Sequence, residues 1–171
     1  ILNININLNA LKFIKKENSI KNIKIETSEN SIKDLTSLFN SINYNLSRFI
    51  FYSQIKNGLI KFKLDTEFNS IEDKIDSYTI SGNIKDAKFN LVGNSSLDNI
   101  NFNFKAKDKL TKISNLNFRY QDLNLLSKNI EIKNEGSGIY YINGDIENDK
   151  ALINPNIIFK LVNIKQDFLS K

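Results

Sequence analysis

The side chains able to do chemistry in this 171-residue chain are few and of one kind. His, Cys, Met and Trp are all absent, which removes imidazole bases, thiolate nucleophiles, Cys/His metal centres and Ser-His-Asp triads together. Carboxylates remain, bunched in two turn-like clusters, Glu72, Asp73 and Asp76, then Asp145, Glu147 and Asp149. A pair of carboxylates can hydrolyse a glycosidic bond, but acids gathered at a turn are ordinarily solvated and carry no perturbed acidity. The second cluster has the opening spacing of a calcium loop, without the glycine at the sixth position or the glutamate at the twelfth. The sequons at Asn45 and Asn94 are expected by chance where about one residue in six is Asn. The expectation is a protein that is not an enzyme and holds no cofactor or metal.

The formal net charge is +5, yet the lysines are strung along the polar phases of alternating segments, as at Lys61, Lys63, Lys105 and Lys107, and the longest basic run is Lys15-Lys16. Nucleic-acid binding calls for clustered cations with interleaved exposed aromatics; here the aromatics follow the apolar phase, so no nucleic-acid partner is expected. The balance leaves room for weak attraction to anionic headgroups. A lack of Cys fits reducing and oxidising compartments equally. No apolar run approaches the roughly 20 residues of a membrane-spanning helix.

The elements that must position these residues are mostly strands. In residues 99–133 apolar and polar positions alternate: Ile100, Phe102, Phe104 and Ala106, then Leu116, Phe118 and Tyr120, then Ile130 and Ile132. Alternation at period two places one set on one face of a sheet and the Asn/Lys set on the other. The same pattern runs through Leu2 to Leu8, more weakly through Leu11 to Ile14 and Ile20 to Ile25, and again through Ile60, Phe62, Leu64, Thr66 and Phe68. Tyr78, Ile80, Gly82 and Ile84 follow, after which the parity switches to Ala87, Phe89 and Leu91, predicting a bulge near Lys85-Asp86. Further strands are predicted over 139–146 and 156–161. One segment reads as a helix: Ile32, Leu35, Leu38, Phe39, Ile42 and Leu46 recur at three and four, behind Ser31 as N-cap, predicting an amphipathic helix over 31–46 that packs on the sheet. Residues 1–57 are read as strands plus this helix and 58–171 as an antiparallel meander, the two forming one continuous domain. Because the sequence opens on Ile1 in mid-alternation, it is read as a slice of a larger repetitive protein.

Residues 78–86, YTISGNIKD, and 140–148, YYINGDIEN, share the phrase Tyr-x-Ile-x-Gly-x-Ile. Glycine within a strand weakens it unless the backbone bends or is closely approached there, so Gly82 and Gly144 are expected where the sheet curves. The order SGNIKDAKF, NINFNF, KISNLNFRY, SKNIEIK, YYINGDIEN over residues 58–161 resembles the AsmA-like superfamily of the YhdP/TamB type, the bridge-like lipid transfer proteins. The resemblance implies a long, curved antiparallel sheet forming an open groove, in a periplasmic protein anchored in the inner membrane of Gram-negative bacteria by parts outside this segment. It also implies phospholipid acyl chains and adjoining segments of the same protein as partners.

The apolar phase offers Ile60, Phe62, Leu64, Ile80, Ile84, Phe102, Phe104, Leu116, Phe118, Tyr120, Ile130 and Ile132 as the groove lining. One helix, about 10 Å wide, cannot cover strands of some 26 Å. The alternative is a closed β-sandwich, an adhesin-like binding module in which the same residues form the core.

Overall fold

The computed structural model describes residues 8–16, 19–36, 54–69, 74–91, 95–136 and 139–149. They form one antiparallel sheet of ten strands: β1 (Leu8–Lys16), β2 (Ser19–Thr27), β3 (Asn30–Ser31), β4 (Ile55–Asn69), β5 (Lys74–Asn90), β6 (Ser96–Lys107), β7 (Leu110–Tyr120), β8 (Leu123–Gly136), β9 (Ile139–Gly144) and β10 (Glu147–Asn148). The spatial order is β1-β2-β4-β5-β6-β7-β8-β10, with β3 also on β4 and β9 also on β8. Successive lanes therefore follow chain order, with β4 pairing β2 over residues 63–67 and β3 over residues 59–60. β3 continues the lane of β2, and β9 and β10 share the last lane. Among the described residues the sheet does not close: β1 and β9/β10 lie at its opposite ends.

The strands are long because their alternation is long. β5 has 17 residues, about 55 Å at roughly 3.3 Å per residue, and eight lanes at about 4.8 Å give a face about 34 Å across. Two-residue turns at Asp108-Lys109 and Gln121-Asp122 join β6, β7 and β8, and Asp108 and Gln121 take positive φ there (52° and 53°).

The expected bulge lies where the parity switch put it: the β5–β6 register shifts between Ile84 and Ala87, and Asp86 has φ 50°. It has counterparts in the next two strands, at Asn99 (φ 52°) and Asn115 (φ 52°). Asx residues tolerate this left-handed conformation best among those with side chains. Each bulge flips the side-chain parity of its strand, and because neighbouring strands flip together, the apolar face stays continuous: Ile84 to Ala87, Leu97 to Ile100, Ile113 to Leu116. Asn101 clips the irregularity together. Its Oδ1 accepts the Asp86 N–H at 3.0 Å, while its Nδ2 donates to the Asn99 carbonyl at 2.8 Å and to Asn117 Oδ1 at 3.1 Å.

The predicted helix begins at residue 32 and is described over 32–36; its remainder, to 46, lies outside the described residues. Ile32 and Leu35 are buried. A side chain built on Gly58 (φ 126°) would meet Ala87 Cα and Ile32 Cδ1, each at 2.8 Å, so the first helical turn is seated on the sheet where a glycine leaves room for it. The strands expected over 2–8 and 156–161 lie outside the described residues, apart from Leu8 in β1.

Candidate functional site

The cross-strand register shows how the sheet sorts its side chains, because directly opposed residues share a face. One row runs Ile60–Ile84–Phe102. The next runs Phe62–Gly82–Phe104–Ile113–Ile130–Gly144 across six strands. A third runs Ile25–Leu64–Ile80–Ala106–Thr111–Ile132–Ile142. Past the bulges, Leu116 opposes Ser127, Phe118 opposes Leu125, and Tyr120 lies between Leu97 and Leu123. The residues singled out from the sequence thus stand on one surface. Phe62 and Tyr120 are buried; Ile60, Leu64, Ile80, Ile84, Phe102, Phe104, Leu116, Phe118, Ile130 and Ile132 are half-buried. The Phe102 and Phe104 rings meet edge to face, centroids 6.3 Å apart.

Gly82 and Gly144 occupy the same row, and the register runs unshifted through both. What each position provides is close approach. A Cβ at Gly82 would run into the Lys61 carbonyl oxygen and lie 3.0 Å from Phe104 Cζ; one at Gly144 would lie 2.7 Å from the Asn129 carbonyl oxygen and 2.9 Å from Ile130 Cγ1.

One buried cluster on the face is Tyr120, Leu123 and Leu125, with Leu91, Leu97 and Phe118 packed against them; Phe62 and Ala87 are buried apart from it. Sequence reasoning passed over Leu97, Leu123 and Leu125, although Leu123 and Leu125 alternate with Asn124 and Leu126. Leu126, exposed on the other phase between Asn124 and Lys128, and Ser127, which follows Leu125 on the same phase, break the alternation there. Tyr120 Oη is buried without a hydrogen-bond partner. The other polar side chains buried on this surface hydrogen-bond to the backbone: Asn30, opposite Ile60, donates to the Ser28 carbonyl at 2.8 Å. Thr27 Oγ1 accepts the Phe62 N–H at 3.0 Å and donates to its carbonyl at 3.3 Å, Thr66 donates to the Ile23 carbonyl at 3.1 Å, and Ser127 to the Asn129 carbonyl at 3.4 Å.

The opposite face is charged and paired. Opposed residues form ion pairs at Lys24–Asp65 (2.7 Å), Lys63–Glu26 (3.1 Å) and Lys112–Glu131 (2.7 Å), joined by Lys88–Asp98 (2.9 Å) and Lys85–Glu29. The Lys24 ammonium, then the Asn22 amide, hold the Asp65 carboxyl below its ordinary range; Lys88 does the same for Asp98 and Lys85 for Glu29. Of the carboxylate clusters, Asp145, Glu147 and Asp149 are exposed along the last lane and Asp76 is exposed in β5, while Glu72 and Asp73 lie outside the described residues. Among the described residues no three acids converge to hold a metal, and no helix is long and apolar enough to cross a membrane.

Compared with protein-family models, with curated proteins and with solved structures, the chain matches none.

Proposed function

We propose that the apolar face binds phospholipid acyl chains, and that the chain is a segment of an AsmA-like bridge protein of the Gram-negative envelope, periplasmic and tethered to the inner membrane elsewhere in the protein. The observation that carries this reading is a face with rows of Ile, Leu and Phe across up to seven strands, most of them half-buried, against which no second sheet lies among the described residues. Apolar surface left in water costs about 25 cal/mol per Å², and a contiguous patch of this kind marks an interaction site.

The chemistry of the face selects the occupant. Its buried hydroxyls at Thr27, Thr66 and Ser127 are engaged with the backbone, so they present little to orient a ligand by hydrogen bonds. A flexible hydrocarbon needs no such orientation and gains about 0.8 kcal/mol per buried methylene, so a dozen methylenes recover on the order of 10 kcal/mol before ordering costs. Rows that run across the strands, unbroken by a charge, give such a chain a path perpendicular to them. The charged face supports the same reading: its ion pairs keep that side in water and leave the apolar side as the binding surface.

Incubating the chain with vesicles containing a pyrene-acyl phospholipid, then separating protein from vesicles, tests binding directly. Co-elution of pyrene with the protein, displaced by unlabelled phospholipid, is the expected result. A protein fraction without pyrene, under conditions where its β-sheet spectrum is intact, would point instead to a closed core.

A further inference from the structure

We propose that Asn57-Gly58 is a site of spontaneous modification, at which the Asn57 side chain closes onto the Gly58 nitrogen and opens again as aspartate or isoaspartate. The inference does not depend on lipid binding; it rests on the two Asn-Gly steps of the chain and on the different ladders that hold them.

Asn-Gly occurs at 57-58 and at 143-144. In both, no Cβ screens the glycine nitrogen from the amide of the preceding side chain. The glycine nitrogen bonds to the Asn Cγ, the Cγ–Nδ2 bond breaks, and Nδ2 leaves as ammonia with the glycine amide proton. Water then opens the succinimide ring. Cleavage at Cγ gives aspartate; cleavage at the Asn carbonyl carbon gives isoaspartate, whose main chain runs through Cβ and is longer by one carbon. In sum one water is consumed and one ammonia released, with no change of oxidation state.

The ring closes only if the Asn backbone leaves the extended ψ of a strand, so a regular ladder slows the step. Asn143 and Gly144 stand in such a ladder, opposite Glu131 and Ile130 with no shift between them. Asn57 does not. The β4–β5 register shifts on both sides of it, between Ile55 and Asn57 and between Asn57 and Leu59. Gly58, at φ 126°, has no Cα partner in β3 or β5 and faces the bulge made by Ala87 and by Asp86, at φ 50°. Asn57 and Asn143 are both exposed, so access of water does not separate them. Asn30-Ser31, another step with a small second residue, is held: Asn30 is buried and its amide donates to the Ser28 carbonyl at 2.8 Å.

The two products act on their surroundings differently. Aspartate at position 57 sets a carboxylate opposite Lys88, the cation that pairs with Asp98 at 2.9 Å. Isoaspartate lengthens the main chain where Gly58 passes Ala87 and Ile32 so closely that a Cβ would meet each at 2.8 Å. It therefore unseats the first helical turn, whose Ile32 and Leu35 are buried.

Ageing the folded chain in mildly alkaline buffer, then mapping its peptides by chromatography and mass spectrometry that separate Asn, Asp and isoaspartate, reads both steps in one sample. Residue 57 is expected to convert about tenfold faster than residue 143, a barrier lower by about 1.4 kcal/mol. In urea sufficient to unfold the chain the two rates are expected to converge, because both steps then lie in open chain. Equal rates in the folded chain, or faster conversion at 143, would overturn the proposal, and a ratio that persists in urea would overturn its structural basis. The helical seat is read separately: the isolated isoaspartate form is expected to melt below the Asn57→Asp variant, which carries the same charge on an unaltered main chain. Equal melting temperatures would overturn the unseating of the turn. These outcomes are independent of whether pyrene-lipid binds.

Discussion

Thr27 stands where β2 ends and β3 has not begun, opposite Phe62, and its hydroxyl supplies both hydrogen bonds that a continuous strand would have supplied. A buried backbone group left without a partner costs about 1–3 kcal/mol. Thr27→Val keeps the shape and removes the hydroxyl, so it is expected to lower stability by about that amount in denaturant unfolding, while Thr27→Ser retains most of it. A Val as stable as the wild type would mean that Phe62 finds other partners. Nothing in the sequence around Thr27 signals this role, because the partner is 35 residues away and a Thr in a strand is ordinary. The alternating apolar residues, by contrast, were readable one by one, since apart from Ile60, which follows Leu59, each is a large apolar side chain between polar neighbours. Leu123 and Leu125 were not, because Leu126 on the other phase and Ser127 on theirs break the alternation after two residues.

At the scale of strands, what the sequence announces is parity, and parity located the bulge at Asp86. It did not reveal that the irregularity continues through Asn99 and Asn115, because each lies between segments that alternate cleanly on their own and the switch appears only when the segments are placed in register. The glycine phrase was readable as a repeat; its physical content is close approach. Gly82 lies against the Lys61 carbonyl, the Phe62 Cα and the Phe104 ring, and two of these are backbone in a paired strand that cannot step aside. Gly82→Ala is therefore expected to destabilise the sheet by about 1–3 kcal/mol, the usual cost of overpacking, whereas Ser81→Ala, on the other face, stays within about 0.5 kcal/mol. Thermal or denaturant unfolding of the two variants side by side makes the comparison. Equal stability would show that the rows can part at the glycine.

For the whole molecule, the sheet separates a paired charged face from an apolar one, and each responds to its own variable. Asp65, Asp98 and Glu29 are held below the ordinary carboxylate range by Lys24, Lys88 and Lys85. A carboxyl with a depressed folded pKa contributes stability above its unfolded value, near 4, and loses it as pH falls through the folded one. Melting temperature is thus expected to be level near neutrality and to fall below about pH 4, with a small amplitude because the pairs are exposed, and smaller still in high salt. A fall between pH 8 and 6 would assign the dependence to other groups. The apolar face carries the central claim, and a charge placed on it is the most direct measurement. Phe102 is half-buried beside Phe104, whereas Leu125 is buried in the Tyr120 cluster. If the face is a lipid surface, Phe102→Asp abolishes pyrene-phospholipid binding and lowers the melting temperature far less than Leu125→Asp, which buries an unpaired carboxylate. If Phe102→Asp unfolds the protein as fully as Leu125→Asp does, or leaves lipid binding unchanged, the face is not an acyl-chain site.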